Sequence, residues 1–188
     1  MRNAEATQEK ILNAAFTEFA RYGIAGARVD KIAASAKCNK NLIYIYFGNK
    51  EALFQKVLDV HLSRVYQEIE FRADDLPGYA MNVFDFAMQN PDLIRLLAWS
   101  RLECETPELK PQRSDSRDEK LIKIQSAQAA GALGNNYPPG FLLTTVMTLA
   151  CAWAPTSPFA ALDPDAAHSP DNTREQLGEL VKALTAPK

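Results

Sequence analysis

The sequence predicts an all-α protein, in which a three-helix head at the N-terminus is joined by one long helix to a larger helical bundle. Three observations predict it. Apolar residues recur with a period near 3.6 along most of the chain, and strand-like alternation is scarce. Glycine and proline clusters cut the periodic stretches at helix-sized intervals: Gly23, Gly48-Asn49, Asn90-Pro91, Pro107 to Pro111 and Pro138-Pro139. Residues 28–47 hold two short helical stretches separated by a tight turn, the layout of a helix-turn-helix.

The first helix is expected to start at Thr7, a candidate N-cap with Glu9 in the first turn. Ile11, Leu12, Ala15, Phe16 and Phe19 make its apolar stripe, and Gly23 ends it. Short helices over 29–36 and 40–47 come next. A long helix over 50–71 presents Leu53, Phe54, Val57, Leu58, His61, Leu62, Val65 and Ile69 on one face. At about 1.5 Å per residue it spans roughly 30 Å, long enough to connect a head to a body. Residues 72–78 read as a turn. Helices are expected over 78–89, 92–104, 115–131, 138–154 and 171–185, with a proline-rich loop over 155–170. The domains implied are 5–65, containing the helix-turn-helix at 28–47, and 66–188.

Several functional classes lack their signatures. The apolar run from Phe141 to Ala154 is too short for a membrane span and carries three threonines. The polar N-terminus has no signal segment, so the cytoplasm is the expected location and no membrane partner is predicted. Cys38, Cys104 and Cys151 have neither metal nor disulfide spacing and read as small buried residues. Of the two histidines, His61 lies on an apolar stripe and His168 in the proline-rich loop. No nucleophile–base pattern, phosphate loop or dinucleotide fingerprint is present. No enzyme activity, catalytic residue, metal or cofactor is predicted.

Charge points elsewhere. Residues 1–56 carry a net +4 and the remainder −6. A basic head on an acidic body suits a head that meets nucleic acid. Within 28–47, Ala33 is the small residue needed where the two helices cross, and Ile32, Ala36, Cys38 and Ile43 face inward. Asn39, Lys40, Asn41, Tyr44 and Tyr46 are left outside. Lys40 and Lys50 can neutralise phosphates, and the Tyr44 and Tyr46 hydroxyls can donate to phosphate oxygens. Asn39, Asn41 and Leu42 lie near the end of the second helix that meets bases, where Asn can pair with adenine and Leu can touch a thymine methyl. Arg28 can reach a phosphate or a groove edge. The same pattern also occurs in plain helical bundles, with the two tyrosines as half-buried core residues.

Residues 7–62 resemble the DNA-binding domain of the TetR family of bacterial transcriptional regulators. The resemblance is carried by Thr7-Gln-Glu-Lys-Ile-Leu-Asn-Ala-Ala15, Phe19-Ala-Arg-Tyr-Gly23, Val29-Asp-Lys-Ile-Ala-Ala34 and Ile43-Tyr-Ile-Tyr-Phe-Gly-Asn-Lys-Glu-Ala-Leu-Phe54. It implies a sequence-specific regulator, by family default a repressor. It also implies that Lys40, Tyr44, Tyr46 and Lys50 contact phosphate and groove, and that a C-terminal body dimerises and holds a ligand. Two positions depart from the pattern. Lys37 stands where the family has glycine; at positive φ that would cost on the order of 1 kcal/mol, and the ammonium could then contact a phosphate. Tyr46 stands where relatives often have histidine. Stretches 75–80, 89–97, 127–131 and 152–158 resemble one C-terminal subfamily.

The resemblance makes the expected partners double-stranded DNA at a near-palindromic operator, a second copy of the chain and a small-molecule effector. Phe84, Met88, Trp99, Cys104, Met147 and Trp153 are candidates for an effector pocket suited to a flat or apolar molecule, or are simply core. Helix 138–154 is apolar on most faces and is expected to be buried partly by a second subunit, together with helix 171–185. A ligand-independent architectural DNA-binding protein is the alternative.

Overall fold

The computed structural model describes residues 2–103, 111–163 and 169–187. Among these residues there are nine α-helices: α1 (Arg2–Gly26), α2 (Val29–Ser35), α3 (Lys40–Phe47), α4 (Lys50–Glu68), α5 (Leu76–Gln89), α6 (Pro91–Glu103), α7 (Pro111–Ala129), α8 (Pro139–Ala150) and α9 (Pro170–Thr185). Short 3-10 turns occur at Ala73–Asp75 and Ala160–Leu162, and there is no strand among the described residues. None of these helices is long and apolar enough to cross a membrane.

Contacts divide the chain into two compact units. The first comprises residues 1–68 and 92–107, the second 69–91 and 108–188. In the first unit Ile11, Ala15 and Phe19 repeat every four residues on α1 and are fully buried, as are Leu53, Phe54 and Val57 of α4. The Phe19 and Phe54 rings meet edge-on, 5.2 Å between centroids. His61 stacks on Phe16 at 4.0 Å, the packed histidine that its position on the stripe implies.

The first unit also takes in α6. Gly23 has φ +68°, and it interrupts α1 so that Ile24–Gly26 turn away from the main axis. A Cβ on Gly23 would lie 2.5 Å from Glu103 Oε1 and 2.9 Å from ring carbons of Trp99. Glycine is therefore required twice over, by conformation and by the closeness of α6. Glu103 Oε2 accepts the backbone N–H groups of Ile24 and Ala25. The Trp99 indole Nε1 is buried and has no hydrogen-bond partner among the described residues.

In the second unit, Leu76, Tyr79, Ala80, Val83, Phe84 and Ala87 of α5 form a buried stripe. Leu142, Val146 and Ala150 of α8 and Leu177 and Val181 of α9 pack with it in one core. Gly178 lets α9 approach closely, since a Cβ there would be 2.9 Å from the Met81 sulfur. Arg174 pairs with Asp85 at 2.7 Å across the same two helices.

Some element bounds differ from those expected. Helix α1 begins at Arg2, so Thr7 lies inside it rather than capping it. Helix α4 stops at Glu68, and Phe71 packs edge-on to Tyr79 instead, 4.9 Å between centroids. Helices α5 and α7 start two and four residues early. The Asp75 side chain caps α5 by accepting from Gly78 N–H at 2.9 Å, and each helix has proline in its first turn. Helix α8 ends at Ala150, and residues 151–154 form turns.

Candidate nucleic-acid interface

Helices α2 and α3 pack through the residues that the sequence assigned to that job. Ile32, Ala33, Ala36 and Ile43 are all buried. Burial pushes the half-buried Cys38 thiol above its usual range, as expected for a packing residue. The turn between the helices is built on Lys37, with φ 53°, the only non-glycine positive φ among the described residues. Its N–H donates to Ala34 O at 3.2 Å, and the N–H of Cys38 to Ala33 O at 3.0 Å.

Helix α3 is capped at both ends from within the motif. The Asn39 Oδ1 accepts the Asn41 N–H at 2.9 Å, so Asn39 is the N-cap, and its amide NH2 is not used by the cap. Gly48, at φ 82°, closes the helix. Asn49 Oδ1 then accepts the Ala52 N–H at 2.7 Å and starts α4. Capping fixes the register of a helix only eight residues long, which by propensity alone would be marginal.

The basic residues are not equivalent. Lys40 Nζ lies 2.8 Å from Asp30 Oδ1, an exposed ion pair between α2 and α3. The pair holds the Asp30 carboxyl below its ordinary range and raises the Lys40 ammonium above its own. Lys50 Nζ donates to Ala25 O at 3.3 Å and Ala27 O at 3.4 Å, carbonyls at the end of α1. Arg28 precedes α2; its N–H donates to Glu18 Oε1 at 3.0 Å, and its side chain is exposed. Lys37 is exposed. All nine candidate DNA contacts thus lie in one stretch of the first unit, on α3, its flanking turns, the first residue of α4 and the N-cap position of α2. Asn41 and Tyr44 are exposed; Leu42 and Tyr46 are half-buried. Sequence reasoning missed Asp30, because its role depends on a partner ten residues on. It also missed Ile45, which is 72% exposed.

The six candidate pocket residues are not brought together in this way. Phe84 is 2% exposed within the α5–α8–α9 core. Trp153 meets it edge-on at 6.1 Å between centroids, and Met88 packs against the same core. Met147 is 36% exposed, and its sulfur accepts the Tyr79 hydroxyl at 3.5 Å. Trp99 belongs to the first unit. Cys104 lies outside the described residues. The second unit has an open hollow of about 500 Å³ lined by other residues, among them Phe71, Ile122, Ser126 and Ala132.

Two family profiles match the chain: "Bacterial regulatory proteins, tetR family" over residues 11–57, and "Tetracyclin repressor-like, C-terminal domain" over residues 75–182. The chain belongs to the TetR family. This TetR-family chain is 38% identical over 159 residues to the HTH-type transcriptional repressor SCO4008 of Streptomyces coelicolor, covering 84% of this chain and 82% of that protein. It is 30% identical over 139 residues to the HTH-type transcriptional repressor NicS of Pseudomonas putida, covering 70% and 62%. The crystal structure of SCO4942 from Streptomyces coelicolor superposes with a TM-score of 0.85 at 36% identity, over 97% of this chain and 99% of that one. A TetR-family regulator from Marinobacter aquaeolei shares the fold, with a TM-score of 0.78 at 18% identity. The TetR-family chain is a DNA-binding transcriptional regulator and not an enzyme.

Proposed function

We propose that the chain is a dimeric repressor that holds a near-palindromic operator and leaves it when a small molecule binds its C-terminal part. The observation that carries the DNA half of this reading is the presentation of α3. Its caps, its buried Ile43 and its exposed Asn41, Tyr44 and Ile45 set a short rigid helix outward from a head of net charge +4. In this reading Asn41 and Leu42 meet base edges. Arg28, Lys37, Lys40, Tyr44, Tyr46 and Lys50 meet the backbone, with the Asn39 amide beside them. Residues 5–65 act as the DNA-binding domain, and 66–188 as the effector and dimerisation domain.

One head makes too few contacts for tight specific binding, so two are needed at successive major grooves, about 34–36 Å apart. The outer faces of α8 and α9 supply a surface for pairing: Phe141, Met147 and Leu180 are exposed beside the core that these helices share. The effector would draw on Phe84, Met88 and Trp153, the candidates that pack together in the second unit. To move the operator from nearly all bound to nearly all free, it must favour the released state by roughly 5 kcal/mol.

Selection from random duplex DNA with the full-length protein tests the reading. Recovery of one palindrome with half-sites about one helical turn apart supports it. Unselective binding supports the architectural alternative and sinks the repressor reading. Gel shifts on the recovered operator with a broad panel of apolar molecules test release; if none weakens binding, the effector half fails.

A further inference from the structure

Ile45 sits where a core residue would be out of place. With about 100° between successive helix residues, Asn41 and Ile45 each point roughly 160° away from the buried Ile43, further from it than any other α3 position. Leu42 and Tyr44 lie roughly 100° to either side. The exposures agree: Ile43 is 1% exposed, Tyr44 42% and Ile45 72%. The crown of the helix is therefore one amide and, one turn on, one branched alkyl group.

An exposed isoleucine contributes nothing to the packing of the head, and its β-branch is unfavourable in a helix. Apolar contact gives it value only where water is expelled from its surface. Phosphates and polar base edges gain nothing from an alkyl group and lose hydration against it. A major groove offers one apolar feature to such a group, the 5-methyl of thymine. Building on the operator reading above, we infer that Ile45 is a specificity-determining residue that reads a thymine methyl in each half-site, while Asn41 reads a polar base edge beside it.

The methyl can be removed from the DNA instead of the protein. After operator selection with the wild type, each selected thymine is replaced by uracil in both half-sites, and binding of the wild type and of Ile45→Ala is measured by fluorescence anisotropy. At one thymine position the wild type should lose about fourfold per half-site, the value of one buried methyl, and so roughly fifteenfold for the symmetric operator. Ile45→Ala should distinguish thymine from uracil there by less than twofold, with a thermal midpoint no lower than the wild type's because the side chain is exposed and alanine is the better helix former. Equal uracil penalties in the two proteins at every position would overturn the inference and leave the operator reading intact. Failure of the wild type to select any sequence would overturn both.

Discussion

Lys37→Gly separates what the turn costs from what it does. Lys37 holds φ 53° between two backbone hydrogen bonds, and its side chain is exposed, so the substitution removes no packing. An L-residue in the left-handed region costs about 1–2 kcal/mol. Glycine gives back about 0.4–1 kcal/mol through the greater freedom of the unfolded chain. The net is a stabilisation of roughly 0.5–1 kcal/mol, a rise in Tm of about 1–4 °C at this chain length. If the ammonium meets a phosphate, the same change lowers the slope of log K against log salt by about 0.9 per head, and by roughly twice that for a dimer. Thermal melts and anisotropy titrations across a salt series measure both. A lower Tm would refute the strain argument, and an unchanged slope would refute the phosphate contact.

Gly23→Ala should cost roughly 3 kcal/mol, from left-handed strain and from overlap with Glu103 and Trp99, seen as a lower urea midpoint; an unchanged midpoint would contradict the close approach of α6. Lys50→Ala should remove two weak hydrogen bonds to the end of α1, about 0.5–1 kcal/mol, and also lower the salt slope by about 1 per head, equally for all DNA sequences. Loss of stability with no change in slope would make Lys50 a cap alone. The Asp30–Lys40 pair holds Asp30 ionised to lower pH, so its contribution is present above the ordinary carboxyl pKa of about 3.9 and is lost as pH falls through the depressed value. In Lys40→Met the Asp30 carboxyl, followed by NMR, should titrate at higher pH than in the wild type.

Helix α3 was legible to the residue because its signals are local: Asn39 caps it, Gly48 and Asn49 end it, and Ile43 marks its inner face. Where signals are not local, the reading drifted. Residues 2–6 carry no apolar stripe, yet they extend α1 because they cost little as helix. Residues 151–154 are as apolar as α8 but turn, since apolar content alone does not distinguish a helix from a packed turn. For the site, residue type identified which side chains could meet DNA but not their prior commitments. Lys40 has Asp30, Lys50 has two carbonyls, and Asn39 has the end of its own helix. Ile45 went unread because an apolar helical residue passes for core until its angle from Ile43 is worked out. The Glu103 contact joins positions 78 and 79 apart, beyond any local pattern.

That contact changes what counts as one piece of this protein. By contacts the first unit is left after Glu68, re-entered at Asp92 and left again, so the chain passes between the units three times. The head is therefore completed by α6, which lies outside the continuous stretch that carries its helix-turn-helix. This warns against dissection at the obvious place. A fragment ending at Glu68 would keep the kink at Gly23 but leave the Ile24 and Ala25 amides without the carboxylate that caps them. Its behaviour on DNA would describe a damaged head rather than an isolated one.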